Sequence, residues 1–144
     1  MKMMIMTHKM HKIWLKITAI SIIAYAILFF FGTIKQMNKA IEVVLDISSW
    51  PFDGLQNYDA NSTVFLSALL GGILFGWGIL IWLLSSRIYD LAPGTTRKIV
   101  LISLISWFVI DGLGSIFSGN FNNVIANVFL LLVLVGPLWV PVKE

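Results

Sequence analysis

The residue of this sequence most able to do chemistry is Asp111, because it stands inside the apolar stretch KIVLISLISWFVIDGLGSIFS, residues 98–118. An ionisable side chain in hydrocarbon costs several kcal/mol unless it is partnered or wetted, so an acid there marks a site by default. Trp107, Asp111, Ser115 and Ser118 follow helical spacing, with Ser103 further back, and form one polar stripe. The turn GNFNN, residues 119–123, makes the following helix an antiparallel neighbour, which brings Asn123 and Asn127 to the depth of Asp111. The expected cluster is therefore Asp111, Ser115, Ser118, Asn123 and Asn127.

A carboxylate without a cation in a low-dielectric site can exchange protons, bind a cationic substrate or accept a hydrogen bond from a ligand. The plainer role is a lock, with Asp111 bonded to Asn127, Ser115 or a water and holding the third helix to the fourth, worth about 1 kcal/mol. No basic residue lies deep in any apolar stretch, so a buried ion pair does not explain the acid. Other chemistry is thin. His8 and His11 sit in a basic N-terminal tail, no nucleophile has a base beside it, and no metal-ligand or phosphate-cradling motif occurs. The expectation is no catalytic residue, no metal and no cofactor. The absence of cysteine removes disulfide and thiolate chemistry.

The elements that must position Asp111 are membrane spans. The chain has 144 residues, 58% of them hydrophobic and 12% charged, and a soluble core cannot absorb that composition. Four spans are expected at about 13–34, 64–84, 98–118 and 124–140, in one all-α membrane domain comprising a four-helix bundle. The first is too long for a signal-peptide core, and Lys16 beside Trp14 reads as an interfacial anchor. Within the outer loop, residues 35–63, Ile34, Met37, Ile41, Val44 and Leu45 oppose Lys35, Asn38, Lys39, Glu42 and Asp46, the pattern of a short amphipathic helix at the membrane surface. Trp50 and Phe52 flank Pro51, the Asp53-Gly54 turn signal follows, and Glu42, Asp46, Asp53 and Asp59 make the loop acidic.

The second span is marked by small residues four apart. Ala68, Gly72 and Gly76 form one stripe with Ser67 and Gly71 beside it, expected to be the surface the other helices pack against. Asn61 with Ser62 and Thr63 reads as its N-cap, and Thr95 or Thr96 as the cap of the third. The N-terminus, the inner connection 85–97 and the C-terminus hold Lys2, Lys9, Lys12, Lys16, Arg87, Arg97, Lys98 and Lys143, against only Lys35 and Lys39 opposite. Both termini are accordingly expected in the cytoplasm. The scattered basic residues form no nucleic-acid patch.

The segment FLSALLGGILFGWGILIWLL, followed by a basic connection and WFVIDGLGSIFSGN, resembles the small four-helix DoxX-like integral membrane proteins of bacteria over about residues 62–140. The resemblance implies a four-helix architecture in a bacterial inner membrane, and it carries over no active residues. The first span lacks the Arg or Gly motif of DoxX proper, and the outer loop is longer and more acidic. The expected function is a binding or accessory membrane subunit whose partners are the bilayer and a second copy or another subunit. Proton or solute translocation through Asp111 is the alternative, and a membrane-embedded enzyme acting on a lipid-like substrate comes third.

Overall fold

The structure is a computed structural model that describes residues 2–49, 51, 53–54, 56, 58 and 60–142, with side chains described from Thr7 onward. Trp50, Phe52, Asp59 and Lys143 lie outside the described residues. All described elements are helical. They are α1 (Lys2–Gly32), α2 (Lys39–Ser48), α3 (Asn61–Leu83), α4 (Pro93–Phe117) and α5 (Phe121–Val135). A π-turn, Leu84–Ile88, prolongs α3, and a 3₁₀ turn, Gly136–Trp139, follows α5. Four of these helices are long and apolar enough to cross a membrane: Thr7–Gly32, Asn61–Ile88, Pro93–Phe117 and Phe121–Trp139.

Several element boundaries differ from expectation for local reasons. The first helix starts at Lys2 rather than near residue 13. The Met- and Lys-rich leader contains strong helix formers and no Gly or Pro, so nothing stops propagation backwards from the span. His11, assigned above to a solvated tail, is fully buried as a result. The backbone N-cap of α3 is Ala60, not Asn61, and no side chain caps it. The third span begins at Pro93 after Ala92, so neither Thr95 nor Thr96 is its cap. Proline suits the first helical position because its missing N–H would have had no partner there. Thr96 is instead buried one turn in.

The helices form two antiparallel pairs, α1 with α3 and α4 with α5. On α1 the buried seam facing α3 includes Leu15, Ala19, Ile22, Ala26 and Phe29; on α3 the buried residues are Ser67, Gly71, Leu74, Gly78 and Ile81. Both sets repeat every 3.5 residues, the spacing that keeps one seam facing a partner. A Cβ on Gly71 would lie 3.2 Å from the Ala26 carbonyl oxygen, and one on Gly78 would lie 3.1 Å from that of Ala19, so α1 backbone rests directly on α3 glycines. Ala68, Gly72 and Gly76 lie on the exposed side, and nothing stands within 4 Å of a Cβ built on either glycine. Of the small residues expected to carry packing, Ser67 and Gly71 therefore face α1, whereas Ala68, Gly72 and Gly76 lie on the other side of the helix.

The two pairs are tied at the end that carries the termini. The break at Gly136–Pro137 supplies the acceptors: Pro137 has no N–H for the Val133 carbonyl, and the Trp14 Nε1–H donates to that oxygen instead at 3.0 Å. The next carbonyl, Leu134, accepts from the Thr18 hydroxyl at 2.7 Å. Gly136 takes φ +42, and a Cβ there would lie 2.2 Å from the Trp14 ring, so glycine is needed both for conformation and for space. His11 Nε2 bonds the Pro137 carbonyl at 3.0 Å, and Arg97 donates to the carbonyls of Leu138 and Trp139. Lys12 pairs with Asp90, and Ser85 donates to the Lys12 carbonyl. Tyr89 packs edge-on against His11, and burial pushes its phenol up to about 12.

Candidate functional site

At the opposite end the two pairs separate, and a cavity of about 800 Å³ lies between them. All five helices contribute walls. Tyr25 and Phe29 come from α1, Leu74 and Trp77 from α3, Trp107 and Asp111 from α4, and Leu130 and Leu134 from α5. Helix α2 bridges α1 and α5 across this end and turns Val44, Leu45 and Ser48 into the space. A helix thus occupies Lys39–Ser48 of the segment between the first two spans, with Val44 and Leu45 directed to the cavity. Asp46, assigned above to its polar face, is 4% exposed. Its carboxylate accepts the Gly54 N–H at 3.0 and 3.1 Å, which fixes the chain leaving α2.

The polar wall depends on the turn between α4 and α5. Gly119 has φ +79, its N–H donates to the Ile116 carbonyl at 3.1 Å, and the Asn120 N–H donates to the Ser115 carbonyl at 2.8 Å. That is the paired closure of a helix ending on a left-handed glycine, and it starts α5 directly alongside α4. Asn123 then lies opposite Ser115, and Asn127 opposite Asp111. The Asn123 amide donates to Ser115 Oγ at 2.8 Å and to Asp111 Oδ2 at 3.2 Å, and the Asn127 amide donates to the same Oδ2. No donor among the described residues reaches Oδ1.

Four of the five residues expected to cluster are therefore brought together: Asp111, Ser115, Asn123 and Asn127. Ser118 is not. Its hydroxyl is spent on the end of α4, donating to the Ser115 carbonyl at 3.1 Å and accepting from the Asn120 amide at 2.9 Å. Ser103 is also engaged elsewhere, as acceptor for the Trp77 indole N–H at 2.9 Å, which links α3 to α4 at mid-depth. Lys16 places its ammonium 5.4 Å from the Trp82 ring centroid rather than beside Trp14.

Two features escaped the sequence reading. Tyr25 enters the site from α1, where nothing in its own apolar stretch distinguishes it from an interfacial aromatic. The α2 residues enter because the loop folds back over the bundle, which depends on the buried Asp46 and on Ile41 and Tyr58 closing over Gly32. Among the described residues no group of three or more His, Asp or Glu could hold a metal. Comparison with family models, with curated proteins and with solved structures finds no match for this chain.

Such an arrangement can hold an elongated guest. The walls are largely apolar and aromatic, and they include a carboxylate oriented by two amides with one oxygen that meets no donor among the described residues. A largely apolar pocket with a few convergent polar groups is the usual form of a small-molecule site.

Proposed function

We propose that this protein is a membrane-embedded binding protein or accessory subunit whose cavity takes an amphipathic, lipid-like ligand. The observation that carries the reading is the cavity of about 800 Å³ with Asp111 in its wall, whose Oδ1 meets no donor among the described residues. An acid serving only as an interhelical lock needs no such space beside it. In this reading both termini are cytoplasmic and α2 lies at the outer membrane surface, in the inner membrane of a bacterium. The Lys and Arg distribution supports the orientation, and the DoxX-like motif between residues 62 and 140 supports the setting.

Binding is favoured over translocation by the closed terminal end. Leu134 lines the cavity while its carbonyl receives Thr18, and Trp14 bonds the adjacent carbonyl, so the helix pairs are joined directly below that residue.

Native mass spectrometry of protein extracted in mild detergent tests the proposal. The wild-type chain should retain an amphiphile as a discrete mass adduct. Ala126→Phe, which adds a ring to the cavity wall, should lose it. An adduct-free wild-type protein, or adducts indifferent to Ala126→Phe, would overturn the reading.

A further inference from the structure

We infer that the head of the ligand is an organic ammonium group, a primary amine or a quaternary ammonium, seated between Asp111 and the indoles of Trp77 and Trp107; this rests on the binding reading above. The first reason is charge. Among the described residues the lining contains Asp111 and no Lys, Arg or His. Ion pairs among the described residues join Lys12 with Asp90 and Lys39 with Glu42, and none of these four residues lines the cavity. Asn123 and Asn127 supply neutral donors, which orient the carboxylate without cancelling its charge. A carboxylate in a low-dielectric wall is costly without a cation, and here only a guest can bring one.

The second reason is shape. Trp107 stands one helical turn from Asp111 on the same face of α4, and its ring centroid is 6.2 Å from that of Trp77 at an interplanar angle of 49°. The Trp77 N–H is already bonded to Ser103, which fixes its ring against the wall. Tyr25 adds a third aromatic. Aromatic faces gathered beside a carboxylate are how proteins recognise substituted ammonium ions. The third reason is the tail. Leu74, Leu130 and Leu134 continue the cavity away from Asp111 as an apolar channel that suits an alkyl chain.

The ammonium could belong to a free alkylamine or to a phospholipid head. A phosphate beside it would find no Lys or Arg in the lining, which favours the simple amine.

The test uses intact protein in maltoside micelles and probes that share one bromine-tipped dodecyl chain but carry trimethylammonium, primary ammonium, hydroxyl or phosphocholine heads. Bromine quenches indole fluorescence on contact, so occupancy is read from the cavity tryptophans. Saturable quenching by the ammonium probes at concentrations at least tenfold below the hydroxyl probe is expected, with Asp111→Asn abolishing the difference. A phosphocholine probe that matches the ammonium probes would uphold the inference and assign the cation to a phospholipid head. Equal midpoints for ammonium and hydroxyl probes would overturn the inference while leaving an amphiphile cavity in place. Absence of saturable quenching by every probe would remove both readings. The comparison of heads in wild-type protein decides the matter even where Asp111→Asn fails to fold.

Discussion

Asp111 is held by two amides that themselves have few alternatives, and this makes its replacement informative. Asp111→Leu removes the acceptor and leaves the buried Asn127 amide without its partner, while Asn123 keeps Ser115 Oγ, and an orphaned buried donor costs about 1–3 kcal/mol. Asp111→Asn keeps an acceptor oxygen in the same place, so its cost should stay near the ~1 kcal/mol typical of an interhelical polar bond. Denaturation in mixed micelles should therefore rank wild type, then Asn, then Leu. Equal stability of all three would mean that the amides do not depend on the acid. The pairing of Asp111 with Asn127 was legible in the sequence because helix period and a short turn together fix relative depth. The free Oδ1 was not, because it depends on how far apart two helix pairs stand, and no local pattern encodes that distance.

Helix packing shows where a sequence pattern can point to the wrong face. Ala68, Gly72 and Gly76 are an unbroken i, i+4 row, whereas the seam that meets α1 alternates steps of four and three through Ser67, Gly71, Leu74, Gly78 and Ile81. The strict four-residue row drifts around a helix, and the mixed row stays on one face. Only the partner's matching repeat, Leu15 to Phe29 on α1, reveals which row is used. A pair of alanine substitutions separates the two. In Gly78→Ala the new methyl meets the Ile23 side chain at 2.6 Å and the Ala19 carbonyl at 3.1 Å, so overpacking should cost about 1–3 kcal/mol. Gly76→Ala meets nothing within 4 Å and relieves a helix of its least favourable residue but proline, so it should be neutral or stabilising by up to about 1 kcal/mol. Thermal unfolding of the two variants side by side checks the order, and a more damaging Gly76→Ala would return the packing to the exposed stripe.

In the molecule as a whole, the two helix pairs are pinned where the termini lie and parted where α2 crosses, and this asymmetry places the cavity in the half of the bundle that α2 covers. Its physical source is the Gly136–Pro137 break, which frees carbonyls for Trp14 and Thr18 at one end only. Which compartment that half faces depends on membrane orientation, and the basic residues argue for it independently of the fold. Lys9, Lys12, Arg87, Arg97 and Lys98 flank the pinned end, while Lys35 and Lys39 share the other with Glu42, Asp46 and Asp53. Positive charge is retained on the cytoplasmic side, so the half that holds the cavity should face outward. The absence of cysteine makes this directly measurable, because any introduced thiol is the sole target for a maleimide. Ala60→Cys, on the exposed segment before α3, and Thr95→Cys, exposed at the start of α4, change no charge and so leave the topological signal intact. A membrane-impermeant maleimide applied to intact cells should label Ala60→Cys at once and Thr95→Cys only after the membrane is opened. The reverse pattern would turn the cavity toward the cytoplasm, and its guest would then have to be drawn from the inner leaflet.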